Sequence, residues 1–166
     1  MATFPIRAGQ PGRSDPAHEN KCTRCGISCH LAVPINNVPM VVPGLHCKFL
    51  KAVGDKFECS VYDKRFEMAP WCHHADVAVK RGYLSRDCAY TREKNPGVGK
   101  VKLSEEDLIH YWPILLDQIQ KWGVPEEADA KAIVAEVSRR EGRAYALEEW
   151  PERPGRLRLL PSEERS

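Results

Sequence analysis

The chain has 166 residues, 42% of them hydrophobic and 29% charged, and carries a formal net charge of +2. That length suits one domain with tails. No apolar run approaches the ~18 residues that a membrane-spanning helix needs, and residues 1–21 contain no apolar stretch of a secretory signal, so a cytoplasmic protein is expected. Charge is unevenly spread: residues 1–102 hold 16 basic and 9 acidic side chains, whereas residues 103–166 hold 9 and 14. A basic, cysteine-rich half could face nucleic acid, but no Lys/Arg run or interleaved aromatic stripe supports that. Positive charge around a thiolate-rich metal site accounts for it as well.

In chain order, residues 1–21 mix Pro5, Gly9, Pro11, Gly12 and Pro16 with polar side chains and read as a flexible arm. Residues 22–92 carry every cysteine and few helical patterns, so an irregular module of turns and short strands is expected there. Within it, Val38–Val42, punctuated by Pro39 and Pro43, predicts a short edge strand. Phe57, Cys59 and Val61 alternate with Glu58 and Ser60, which predicts a half-buried strand.

The pattern changes after Gly99. Ser104 precedes Glu105, Glu106 and Asp107, which suits a helix N-cap followed by an acidic first turn. Leu108, Trp112, Leu115, Ile119 and Trp122 then recur at helical spacing. Pro113 predicts a kink or two abutting helices, and Gly123 a stop. Pro125 is expected to open a second helix with Ala130, Ile133, Val134 and Val137 on one face, ended by Gly142. Together these predict an α-hairpin over 103–142 packing on the cysteine module. From Trp150 onward, Pro151, Pro154, Gly155 and Pro161 exclude a helix. Arg156 to Leu159 alternates as a lone strand, so residues 150–166 are expected as an extended tail that adds to a partner's sheet edge or stays mobile.

Seven cysteines without a secretory signal point to metal ligation rather than disulfides, because the cytosol is reducing. The most specific local signal is Cys22-Thr23-Arg24-Cys25-Gly26: two sulfurs on a tight turn, with a glycine that lets backbone N–H groups face the thiolates. Such turns hold zinc or iron–sulfur clusters. Cys29, Cys47, Cys59, Cys72 and Cys88 complete the candidate ligand set. A thioredoxin-type redox motif needs a strand before and a helix after the pair, and neither is expected here. His30, His46, His73 and His74 lie beside cysteines and are open candidates for further ligands.

The cysteine pattern resembles the YkgJ-type cysteine-cluster family, a zinc- or iron-chelating domain family. The carriers are Cys22-x2-Cys25-Gly26-x2-Cys29, Cys47-Lys48-Phe49-Leu50, the block running from Cys59 through Tyr62, Arg65, Phe66, Glu67 and Pro70 to Cys72, and Leu84-x3-Cys88-Ala89-Tyr90. The resemblance covers about residues 22–92. It implies metal binding through these cysteines, with Ser28 standing where the family has an eighth thiol. Related modules in flagellin lysine N-methylases imply an iron–sulfur role as the rival. Arg65 is expected either to donate to thiolates or to brace Glu67 or the backbone; Tyr62 and Tyr90 are expected as packing residues.

The expected protein is therefore a small α+β chain with a metal-stapled cysteine module and an α-hairpin. Its expected role is a zinc-binding structural or assembly subunit that meets a protein partner through its terminal extensions. The rival is a [4Fe–4S] protein with an electron-transfer or enzymatic role. No nucleophile–base pair, paired carboxylates or phosphate loop favours an enzyme.

Overall fold

The computed structural model describes residues 21–164. The expected arm over 1–21 lies outside the described residues, apart from Lys21. In chain order the strands are β1 (His30–Ile35), β2 (Val38–His46), β3 (Leu50–Val53), β4 (Lys56–Cys59), β5 (Val124–Pro125), β6 (Tyr145–Glu149) and β7 (Arg156–Pro161). The helices are α1 (Arg65–Met68), α2 (Ala75–Lys80), α3 (Ala89–Lys94), α4 (Glu105–Trp122) and α5 (Ala130–Glu141). The fold is small α+β, with short antiparallel sheets β1–β2, β3–β4 and β5–β7–β6 among the described residues. No helix of the described residues is long and apolar enough to cross a membrane.

The described residues divide into two compact units: residues 21–28 with 49–99 form unit 1, and residues 29–48 with 100–164 form unit 2. The expected module over 22–92 is thus interrupted. Residues 29–48 leave it because they build the β1–β2 hairpin, whose apolar side chains are buried in unit 2. That hairpin turns at Asn36 and Asn37, both with left-handed backbone (φ 49° and 63°), and pairs Ile35 with Val38. Asparagine tolerates this conformation, and a two-residue loop of two left-handed residues matches the natural twist of a hairpin.

Unit 2 is built around that hairpin. Ile35, Met40, Val42 and Leu45 share one buried cluster with Leu108, Trp112, Leu115, Leu116 and Ile119 of α4, and with Ile133 and Val137 of α5. Helix α4 starts as expected, with Ser104 Oγ accepting from the Asp107 N–H at 3.1 Å. It then runs through Pro113 as a single helix rather than two abutting ones. Pro113 and Ile109 lie on the exposed face, so the carbonyl that loses its intrahelical donor is on the solvent side, where water can serve it. Helix α5 begins at Ala130 and not at Pro125, which sits in β5. Its N-cap is Asp129, whose carboxylate accepts from the Lys131 and Ala132 N–H groups, both at 3.0 Å. Gly142, left-handed at φ 65°, ends it as expected.

The C-terminal residues differ most from expectation. Strand β7 is the central strand of its sheet, between β5 and β6. Leu159 is fully buried, and Leu157 packs beside it on the same core. Arg158 lies opposite Glu148 on β6 and forms an ion pair with it at 3.6 Å. The alternation of Leu and Arg is real, but the leucines face the chain's own core. Residues 156–161 are therefore not a tail; their partner strand is Tyr145–Glu149, whose Ala-Leu-Glu-Glu composition favours helix and masks a strand.

A half-buried polar brace ties the two long helices. Arg140 donates to Glu136 at 2.6 Å and stacks over Trp112 at 5.1 Å, while the Trp112 Nε1–H donates to Glu141 at 2.7 Å. Burial alone would raise the Glu136 carboxyl, but hydrogen bonds and charge from Arg139 and Arg140 outweigh it and hold the group below its ordinary value.

In unit 1 the buried cluster is small: Ala78, Val79, Leu84 and Tyr90, flanked by Tyr83 and Cys88. The β3–β4 hairpin pairs Leu50 with Cys59.

Two outcomes follow from this packing. Leu159→Ala should destabilise unit 2 by about 2–5 kcal/mol in chemical denaturation; a loss below about 1 kcal/mol would restore the tail reading. Glu136→Gln should cost about 1–2 kcal/mol at neutral pH, because charged hydrogen bonds are lost. A depressed carboxyl stabilises the fold above its unfolded value and loses that contribution as pH falls through the folded one. The gap between wild type and E136Q should therefore close below about pH 4.

Candidate metal centre

None of the seven cysteines forms a disulfide. Cys22, Cys25, Cys59, Cys72 and Cys88 belong to unit 1, and Cys29 and Cys47 to unit 2. Among the described residues, no three His, Cys, Asp or Glu side chains are grouped so as to hold a metal ion.

The clearest part is the Cys22–Cys25 turn. Arg24 and Gly26 both take left-handed backbone, at φ 55° and 72°. The Arg24 carbonyl accepts from the Phe57 N–H of β4 at 2.9 Å, and Arg24 forms an ion pair with Glu58. The Phe57 ring lies directly against Gly26: a Cβ there would sit 2.7 Å from Phe57 Cγ. Both cysteines of the turn, Cys22 and Cys25, are exposed. Cys59 lies two residues after Phe57 and so shares its face of β4. That face is the one on which the turn rests.

Cys72 lies between α1 and α2, its N–H bonded to the Ala69 carbonyl at 2.8 Å. Cys88 immediately precedes α3, its N–H bonded to the Ser85 carbonyl at 3.1 Å, and its side chain flanks the small apolar cluster. Two histidines follow Cys72. His73 rests against Tyr83 with ring centroids 5.4 Å apart; burial, with the charges of Arg81 and His74, pushes its imidazole below the ordinary value. His74 packs on Phe66 at 4.1 Å, and its Nε2 is buried with no hydrogen-bond partner. Arg65 acts as a backbone brace: its Nη1 donates to the Tyr62 carbonyl at 2.7 Å, and its guanidinium covers the Tyr62 and Phe66 rings.

In unit 2, Cys29-His30 and His46-Cys47 oppose each other at the open end of the β1–β2 hairpin. His30 pairs with His46, their rings 5.2 Å apart, and the Cys47 N–H donates to the Cys29 carbonyl at 2.8 Å. Beside them Lys100 is only 9% exposed. Its Nζ donates to the His30 carbonyl at 2.5 Å. Burial pushes its ammonium down to about 8, and the Cys29 sulfur, as thiolate, opposes that fall. A buried cation beside a thiol favours the thiolate, the form that binds metal. Sequence reading missed Lys100, because nothing in Gly99-Lys100-Val101-Lys102 separates the buried lysine from the exposed one. It also missed the Gly26–Phe57 contact, which joins two segments with no local sequence signature.

No family model, curated protein or solved structure matches the chain.

The donor chemistry nevertheless fits a thiophilic metal. No thiol is committed to a disulfide, one buried imidazole nitrogen has no partner, and a buried ammonium stands ready to offset thiolate charge. Because Gly26 is both left-handed and in contact with Phe57, Gly26→Ala should lose about 1–3 kcal/mol. Gly54→Ala, also left-handed (φ 63°) but with nothing within 4 Å of the new Cβ, should lose only the conformational part, about 1 kcal/mol. Equal losses in urea melts would mean that Phe57 does not constrain the cysteine turn.

Proposed function

We propose that this chain is a metal-binding module, with zinc as the metal, and that it serves as a structural binding or assembly subunit. The observation that carries this reading is the Cys22–Cys25 turn, held open-faced against β4 by Gly26 and Phe57, in a unit whose apolar core is small. Short units of this kind commonly need a metal as a staple, and the free energy of binding then becomes free energy of folding. The candidate ligands are Cys22, Cys25, Cys59, Cys72 and Cys88 in unit 1 and Cys29 and Cys47 in unit 2. The YkgJ-type resemblance of the cysteine spacing supports the same assignment.

The rival reading is a [4Fe–4S] protein. It draws support from the presence of more than four thiols in unit 1, enough for a cluster held by four cysteines without other donors. A protein partner belongs to the proposal as well. With residues 156–161 paired inside the chain, the N-terminal extension is left as the segment to meet it.

Anaerobic purification followed by elemental analysis tests the reading. Stoichiometric zinc in a colourless protein is expected; stoichiometric iron and sulfide in a brown protein would replace zinc with the cluster. Chelation should lower the melting transition of unit 1 and leave that of unit 2 nearly in place. Freshly reduced protein that holds no metal, and melts identically with and without chelator, would overturn the proposal.

A further inference from the structure

Three buried side-chain atoms of the described residues have no hydrogen-bond partner: His74 Nε2, Arg86 Nε and Thr91 Oγ1. All belong to unit 1. An unpartnered buried polar atom is costly and calls for a missing partner such as an ion or water. Arg86 has no lone pair to give a cation. Thr91 is the third residue of α3, and its hydroxyl can turn to a carbonyl of the preceding turn. His74 is different, because a neutral imidazole offers a lone pair of the kind zinc accepts.

We propose that His74 Nε2 is a metal ligand of unit 1, a nitrogen donor in a site otherwise made of that unit's thiolates. The inference rests on the metal-binding reading above. His74 follows Cys72 by two residues in the segment between α1 and α2. Its own backbone, at the N-cap of α2, is extended in the polyproline II range (φ −63°, ψ 151°), so the two donors sit on a short non-helical segment. The Phe66 ring lies against the imidazole, 4.1 Å away at 31°, and Nε2 is buried without a hydrogen-bond partner. The other three histidines beside cysteines are placed differently. His30 and His46 face each other in unit 2, where His46 Nδ1 lies 3.0 Å from the Cys47 carbonyl. His73 is turned to Tyr83. Metal binding then draws the Cys72–His74 segment and the unit 1 thiolates together, which gives the buried imidazole nitrogen a partner.

Cobalt(II) titration of the reduced full-length chain tests this, because the visible bands of tetrahedral cobalt distinguish three sulfurs and one nitrogen from four sulfurs. Wild type should show the mixed sulfur–nitrogen envelope. His74→Ala should bind one cobalt at least about ten-fold more weakly. His74→Cys, which restores a donor at the same position, should regain tight binding with an all-sulfur envelope and so separates ligation from a folding defect. His73→Ala should leave envelope and affinity unchanged. An all-sulfur wild-type envelope, or His74→Ala with wild-type envelope and affinity, overturns the assignment of His74 alone. A wild-type chain that takes up no cobalt overturns the metal-binding reading and this inference with it.

Discussion

The smallness of the apolar core of unit 1 governs how that half of the chain is built. Among the described residues, its buried hydrophobic side chains are seven: Ile27, Leu50, Ala69, Ala78, Val79, Leu84 and Tyr90. Unit 2 has seventeen. None of the helices of unit 1 exceeds six residues, far below the ~12–15 at which an isolated helix becomes even marginal. Order there has to come from turn chemistry and polar braces: the left-handed Cys22–Cys25 turn on Phe57, the Arg65 guanidinium on the Tyr62 carbonyl, and the Lys94–Asp76 pair between α3 and α2. A metal bound by thiolates would supply what hydrophobic burial does not, and five of the seven cysteines are in this unit.

Unit 2 has the opposite economy. Helices α4 and α5, the β1–β2 hairpin and β7 share one continuous core in which Leu115, Ile133, Val137, Val42 and Leu159 are fully buried. Such a core has no need of a staple; Cys29 and Cys47 lie in this unit. Their neighbour Lys100 is the informative feature. Burying an ammonium is costly unless a negative group or acceptor faces it. Here the His30 carbonyl is that acceptor.

The helical part of the fold was legible because its signals are local. Ser104 before three acids, the 3.6-residue recurrence from Leu108 to Ile119, and Gly142 after Val137 each mark a feature that forms within one or two turns. The strand at Phe57 and Cys59 was legible by alternation. Pro125 misled because a proline that suits a first helical turn also suits a strand at a sheet edge; Asp129, immediately before Ala130, was the true cap. The hairpin at Asn36-Asn37 carried a usable signal, two residues tolerant of left-handed backbone between apolar runs.

Taken alone, the amino-acid sequence determined the chemistry: which residues are thiols and imidazoles, that Cys22 and Cys25 share one turn closed by glycine, and where the two long helices lie. These depend on covalent spacing and backbone preference, which act over a few residues. Only the tertiary structure decided that residues 29–48 leave the cysteine segment for unit 2, that Arg156–Pro161 becomes a central strand, that Lys100 is buried beside Cys29, and that His74 keeps an unpartnered nitrogen. Each of those is set by which distant surface covers a side chain. An alternating strand carries the same pattern whether its leucines meet another protein or their own core.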